Sequence, residues 1–160
     1  MSTTRREVLK AGGGATVMAL AVSAGLLRPE DVFAQAATWN KAAFETKSFA
    51  DTVKALGGAA ATENPGVRFA SPTPDIAENG ALVPITVTSS LPKTESIAIL
   101  VEKNPNTLAA NFSILAGMDP FISTRVKMGQ TSDVYALVKA DGRYYFAKKE
   151  VKVTIGGCGG

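Results

Sequence analysis

Apolar positions along this chain change their period once. Across residues 39–56 they recur three and four apart, at Trp39, Ala42, Ala43, Phe49, Val53 and Leu56, the spacing of one helical face. Ser48 is placed to restart a helix as its N-cap, and Gly57-Gly58 to end it. The segment therefore predicts either one helix or two short ones broken near Thr46 and Lys47. Such a stripe is expected to pack on the domain's own sheet, with a partner-binding helix as the alternative. From Val67 onward the period shortens toward two. Val67–Ala70 is a short apolar run, and 76–77 leads into Asn79-Gly80, a strong turn pair. Residues 81–89 alternate, with Leu82, Pro84, Thr86 and Thr88 against Val83, Ile85 and Val87. Pro84 cannot donate to a ladder and predicts an edge strand or a bulge. Further strands are expected over 96–101, 108–115, 121–128, 134–140 and 144–155, separated by Asn104-Pro105-Asn106, Gly129 and Asp141-Gly142. About seven short strands with turns roughly every 8–12 residues predict a mostly β fold, an antiparallel sandwich led by one or two short helices. In the last strand Val151, Val153 and Ile155 share one side and Lys152 and Thr154 the other. That side is expected to anchor in the core and give whatever follows a rigid base.

The two ends of the chain have textures of their own. Thr3-Thr4-Arg5-Arg6-Glu7-Val8-Leu9-Lys10 precedes a mildly apolar stretch, 11–27, rich in Ala and Gly. A charged start, an apolar middle and a small-residue site make an export signal, and the pair Arg5 and Arg6 points to the twin-arginine route. Ala34-Gln35-Ala36 fits the cleavage pattern, with Val32-Phe33-Ala34 as the alternative. The apolar run is shorter than the roughly 20 residues that span a bilayer, so removal is expected rather than a stable membrane anchor. The chain then divides into a signal at 1–36, a sandwich domain at 37–155 and a glycine arm at 156–160.

That arm reads Gly156-Gly157-Cys158-Gly159-Gly160 and carries the single cysteine of the 160 residues. Glycine lacks a Cβ and visits backbone regions closed to other residues, so the sequence predicts a thiol on a slender, flexible tether. Three extended steps carry Cys158 about 10 Å beyond Ile155. An oxidising compartment and one unpaired thiol together predict intermolecular or covalent chemistry.

Charge and composition then exclude most alternatives. Four of the seventeen basic residues and three of the fourteen acidic ones precede residue 37, leaving a net charge of +2 on the exported part. So small an excess, without a basic run, gives no footing for nucleic-acid binding. The chain has no histidine, which excludes a His-ligated metal site and any Ser-His-Asp or Cys-His arrangement within it. No cofactor is expected. The chain is read as a carrier whose cysteine receives other enzymes' chemistry, rather than as an enzyme. Tyr144-Tyr145-Phe146 is read as strand packing, with an interface role as the alternative. Lys148-Lys149 is read as a solvated face, with steering of acidic partners as the alternative, and Met118 and Met128 as core or surface residues.

The chain resembles the SoxY family of the bacterial sulfur-oxidising (Sox) system. The resemblance rests on the twin-arginine signal, on Trp39-Asn40-Lys41-Ala42-Ala43-Phe44, on Ile76-Ala77-Glu78-Asn79-Gly80-Ala81-Leu82-Val83-Pro84-Ile85, and above all on Gly156-Gly157-Cys158-Gly159-Gly160. It implies an immunoglobulin-like sandwich paired with a related subunit, SoxZ, as a heterodimer or higher oligomer in the periplasm. It implies that Cys158 holds the sulfur substrate covalently while Gly156, Gly157, Gly159 and Gly160 form the swinging arm. It also implies transient docking to a haem protein that ligates thiosulfate, to a hydrolase that releases sulfate and, where present, to a sulfur dehydrogenase. The residues leave other readings open: an incidental cysteine in a disordered tail, a thiol for redox or metal delivery, or a Gly159-Gly160 carboxylate activated as in ubiquitin-like carriers.

Overall fold

Nine strands and two helices emerge from this pattern in a computed structural model that describes residues 40–155. The predicted signal with Arg5 and Arg6, Trp39, and the arm with Cys158 and its glycines lie outside the described residues. The helical stretch resolves into α1 (Lys41–Phe44) and α2 (Phe49–Ala55). Asn40 caps α1, its side chain accepting from the Ala43 amide at 3.1 Å, and Ser48 caps α2 by accepting from the Asp51 amide at 3.1 Å. Each cap satisfies an amide that the first helical turn leaves without a partner. Between the helices Thr46 Oγ1 donates to the Ala43 carbonyl at 2.7 Å. Gly57 closes α2 with φ +92°, a left-handed value that costs glycine nothing.

The strands are β1 (Ala61–Glu63), β2 (Val67–Ala70), β3 (Ile76–Asn79), β4 (Val83–Ser89), β5 (Thr94–Val101), β6 (Leu108–Ser113), β7 (Phe121–Val126), β8 (Ser132–Ala140) and β9 (Arg143–Ile155). They form two sheets. The larger runs β1-β9-β8-β5-β6 with β3 added beside β9, and the smaller runs β2-β4-β7. Ile85, Ile97, Ile99, Val134, Val138, Met128 and Val151 fill the space between them. The larger sheet is also covered on its outer face. There Leu100, Leu137, Tyr144 and Phe146 meet Ala43, Phe49 and Val53 of the helices. Burial on both faces explains why Ile97 to Val101 are all buried in succession rather than alternating. The helical stripe thus packs on the domain's own sheet, and Tyr144-Tyr145-Phe146 serves as strand packing. Phe49 stacks 4.6 Å from Tyr135 and 5.1 Å from Phe146, centroid to centroid.

Several expectations need correction. β1 has no counterpart in the apolar pattern: Ala-Thr-Glu carries no alternation, and it forms because its backbone adds to β9. The sandwich is not wholly antiparallel, since β1 and β3 both pair parallel to β9. Asn79-Gly80 is a turn, but the strands it joins lie in different sheets, so it closes no hairpin. Asp141-Gly142 does, with φ 49° and 73° between paired Ala140 and Arg143, the two-residue loop whose twist suits a hairpin. Pro84 stands in the middle strand of the smaller sheet. The Thr86 amide bonds the Thr73 hydroxyl at 2.8 Å, so the even-numbered amides of β4 face the β2 side. β2 pairs no further than Thr86, and Pro84 sits beyond that limit, where no donor is required.

Candidate functional site

The predicted tool lies past Ile155, so the described part of the site is the root from which it leaves. β9 pairs with β8 from Arg143 to Val151. Its last four residues outrun β8 and depend on β3, with Ile76 opposite Lys152, Ala77 opposite Val153 and Asn79 opposite Ile155. The Lys152 amide donates to the Asp75 carbonyl at 2.9 Å, and the Gly80 amide to the Ile155 carbonyl at 2.7 Å. Thr154 Oγ1 donates to the Glu78 carbonyl at 2.9 Å, and the Val153 amide to Thr131 Oγ1 at 3.0 Å. The turn that supplies Gly80 is itself braced. Asn79 Oδ1 accepts from the Ala81 amide at 2.8 Å, and the Met128 amide donates to the Gly80 carbonyl at 2.7 Å.

The expected core anchor is only partly there. Val151 is fully buried and Val153 half-buried, but Ile155 is 67% exposed. Alternation placed all three on one side correctly, yet the core ends before the strand does. The base of the arm is held by backbone hydrogen bonds where side-chain burial was expected. Sequence reasoning missed β3 as the element that holds it. Its partner lies 76 positions further along the chain, and parallel pairing leaves no turn signal to betray it.

Ion pairs occupy the lysines near this strand. Lys149 Nζ lies 3.0 Å from Asp75 Oδ1 and donates to the Thr73 carbonyl at 3.2 Å. Lys148 Nζ lies 3.1 Å from Asp133 Oδ2, whose hydrogen bond and charge raise its pKa. Lys148 is exposed, as a solvated face requires, and Lys149 is half-buried, and both are ion-paired within the domain.

Among the surface depressions lined by described residues are four at one end of the sandwich. The largest, about 490 Å³, lies among Gly57, Gly58, Thr62, Arg143 and Tyr144. The others border Leu91 and Met118, Gly66 and Ser90, and Glu95 and Lys139. These four sit toward the end where β9 begins. At about 3.3 Å per residue, the thirteen residues of β9 set that end up to roughly 40 Å from Ile155, several times the reach of a three-residue tether. No group of three or more Cys, Asp or Glu side chains suited to a metal ion occurs among the described residues. No helix among them is long and apolar enough to cross a membrane.

The described residues thus form a β-sandwich whose last strand is held at its end by β3 and a braced turn. Residues 53–158 match the family described as sulfur oxidation protein SoxY. Among solved structures the chain is similar to the sulfur carrier protein SoxY from Chlorobium limicola f thiosulfatophilum, at 35% identity and TM-score 0.61, over 72% of this chain and all of that one. The chain belongs to the SoxY family. A superoxide reductase (neelaredoxin) from Ignicoccus hospitalis also aligns, at 16% identity and TM-score 0.47, over 57% of this chain and 82% of that one. No curated protein matches.

Proposed function

We propose that this member of a sulfur-carrier family holds its cargo on the Cys158 thiol and presents it to separate enzymes of sulfur oxidation. The reading is supported by the family and by the root of the arm: β3 and the Gly80 turn hold Ile155 at the end of the last strand, and the thiol's tether reaches about 10 Å beyond it. Chemistry at that sulfur belongs in another protein's pocket. A thiolate is the reactive form of cysteine. Joined oxidatively to a sulfur anion it gives a covalent hold that diffusion cannot break, and the lower oxidation states of sulfur remain reversible. Gly156, Gly157, Gly159 and Gly160 keep the arm narrow enough for a channel. The absence of histidine leaves no built-in base near neutral pH to discharge the cargo early.

In this reading a haem protein forms the bond between thiosulfate and Cys158 and takes up the two electrons released. A hydrolase then frees sulfate, and a dehydrogenase, where present, oxidises the remaining sulfane sulfur. A related second subunit of the SoxZ kind completes the carrier. Arg5 and Arg6 direct export, cleavage follows Ala36, and the carrier works in the periplasm.

Intact-mass spectrometry of the exported protein after thiosulfate feeding tests this. Adducts are expected on the peptide containing Cys158, and Cys158→Ser should abolish them. An adduct that survives the substitution, or loading at the terminal carboxylate instead, would overturn the reading.

A further inference from the structure

The two sheets do not guard their edges equally. β1, β2 and β3 are only three or four residues long, and very short edge strands offer little to pair with. β6 closes the larger sheet, but its register with β5 shifts between Ile99 and Leu100, and such a bulge twists an edge away from other strands. β7 has neither protection. It pairs with β4 without a break from Phe121 to Val126 and holds no proline. Its open side follows from its closed one. The Ser89 amide donates to the Pro120 carbonyl at 2.9 Å, in step with the β4–β7 register. The odd-numbered groups of β4 therefore face β7, where Ile122, Thr124 and Val126 answer them. Phe121, Ser123 and Arg125 turn their main chain outward. The Phe121 amide is taken by the Asp119 carbonyl at 2.8 Å, but those of Ser123 and Arg125 have no partner among the described residues. Ile122 and Val126 point into the core, so the side chains of the same three residues stand on the outer face, all exposed. Phe121 is 52% exposed, and Arg125 has no ion pair among the described residues.

An open strand edge accepts another strand, and the order of residues along this one selects its own copy. We propose that two copies of this chain associate through β7, antiparallel about a two-fold axis at Ser123, joining two three-stranded sheets into a continuous one. In that register the two Ser123 residues exchange main-chain hydrogen bonds, and each Arg125 amide meets the Phe121 carbonyl of the other copy. On the outer face each Arg125 guanidinium lies against the other copy's Phe121 ring, where a cation and an aromatic face attract. A lone charge ordinarily guards an edge, because a strange strand would dehydrate it; here the two-fold supplies its partner. An axis at Arg125 would set the two arginines opposite each other, which is destabilising. An axis at Phe121 would carry Ser123 and Arg125 past the end of the other strand. The contact uses the same patch on both copies, so it closes at two. One strand pair is a small contact, and the dimer forms and parts with concentration. The Met128 amide, just past β7, holds the Gly80 carbonyl, and Gly80 holds Ile155. The root of the arm therefore lies beyond the C-terminal end of β7, and antiparallel pairing sets the two roots at opposite ends of the joined strands. The inference stands apart from the carrier reading.

The test uses the full exported chain, with any subunit that accompanies it, in sedimentation equilibrium over a range of concentrations. Reductant is present throughout, so that copies cannot link through Cys158. The particle mass should rise with concentration toward two copies of the chain. Ser123→Pro removes an outward amide that has no partner within the chain, a place where an edge strand tolerates proline. Its circular dichroism should match wild type while the dimer is lost. A second variant reads the register directly. In a Cys158→Ser background, Ser123→Cys should oxidise to a linked dimer, because a hydrogen-bonded antiparallel pair sets its Cα atoms about 5.5 Å apart, within the span of a disulfide. Asn111→Cys, exposed on the edge of β6, should stay unlinked. A wild-type particle that holds one copy at every concentration would overturn the proposal. So would a dimer that survives Ser123→Pro, or an Asn111→Cys chain that links as readily as the Ser123→Cys one.

Discussion

The two ends of β9 are held by different means. From Arg143 to Val151 the strand has β8 alongside and packing on both faces, with Tyr144 and Phe146 toward the helices and Val151 toward the second sheet. From Lys152 to Ile155 it has β3 on one side and an increasingly wet face. The first half draws its stability from apolar burial, the second from main-chain hydrogen bonds and a braced turn. Burial is cooperative across a core, whereas a few hydrogen bonds in water are worth about 1 kcal/mol each. The domain should therefore hold firm at its middle and give locally at its exit. That division is open to attack from either side.

The largest effect should come from the core. Ile99 is fully buried between the sheets, and Ile99→Ala should cost about 2–5 kcal/mol. Denaturant unfolding should show the whole domain losing stability together, with amide exchange accelerated along both halves of β9. Gly58→Ala attacks the helix-covered face instead. A Cβ there would lie 2.6 Å from Tyr144 Cδ2 and 2.8 Å from Val53 Cγ1, closer than real contacts allow. The ring and the helix must shift, at about 1–3 kcal/mol, read as a lowered thermal midpoint. A wild-type midpoint would mean that the helices are loosely seated and that β9 owes its stability to the other face alone.

The converse experiment loosens only the exit. Asn79→Ala removes the acceptor for the Ala81 amide and so unbraces the turn that presents Gly80 to Ile155. About 1 kcal/mol is at stake. Exchange should quicken at Gly80 and Lys152 while amides in the middle of β8 keep their protection. Equal acceleration in both places would mean that the root and the core unfold as one unit, which would dissolve the contrast.

The same contrast separates what the chain made legible from what it concealed. Ser48, Gly57 and the Asp141-Gly142 hairpin act through neighbours a few residues away, and the sequence shows such local effects directly. The lone cysteine among glycines lies outside the described residues. β1 and β3 were hidden, or half hidden, for the opposite reason. Each is recruited by β9 from 76 to 83 positions away, through backbone groups that every residue carries. The exposure of Ile155 was concealed by another limit. Alternation fixes which way a side chain points, but the extent of the core depends on how far the facing sheet reaches. Pro84 carried a correct constraint with an ambiguous address, since a missing donor demands an open side but does not name the strand's place in its sheet.

The smallest effect lies at the start of β9 and probes the hairpin by charge alone. Lys93 Nζ meets Asp141 Oδ1 at 2.9 Å. The hydrogen bond and the charge of Lys93 lower the Asp141 pKa, and the same pair raises that of Lys93. A carboxyl whose folded pKa is depressed adds stability above its ordinary value, 3.8 here, and loses it as the pH falls through the lowered one. A lysine whose folded pKa is raised adds stability below its ordinary value, 10.5, and loses it as the pH climbs through the raised one. The pair should thus support the hairpin across the neutral range and fail at both extremes, weakly, because both side chains are exposed to solvent and salt. Asp141→Asn tests this without disturbing the turn, since asparagine accepts the same left-handed backbone. Thermal midpoints should fall slightly near neutrality, converge with wild type at strongly acidic pH, and differ less as salt is raised. A midpoint difference that persists undiminished in acid would assign the effect to the turn's backbone rather than to the pair. The start of β9 would then be held, like its end, by the main chain.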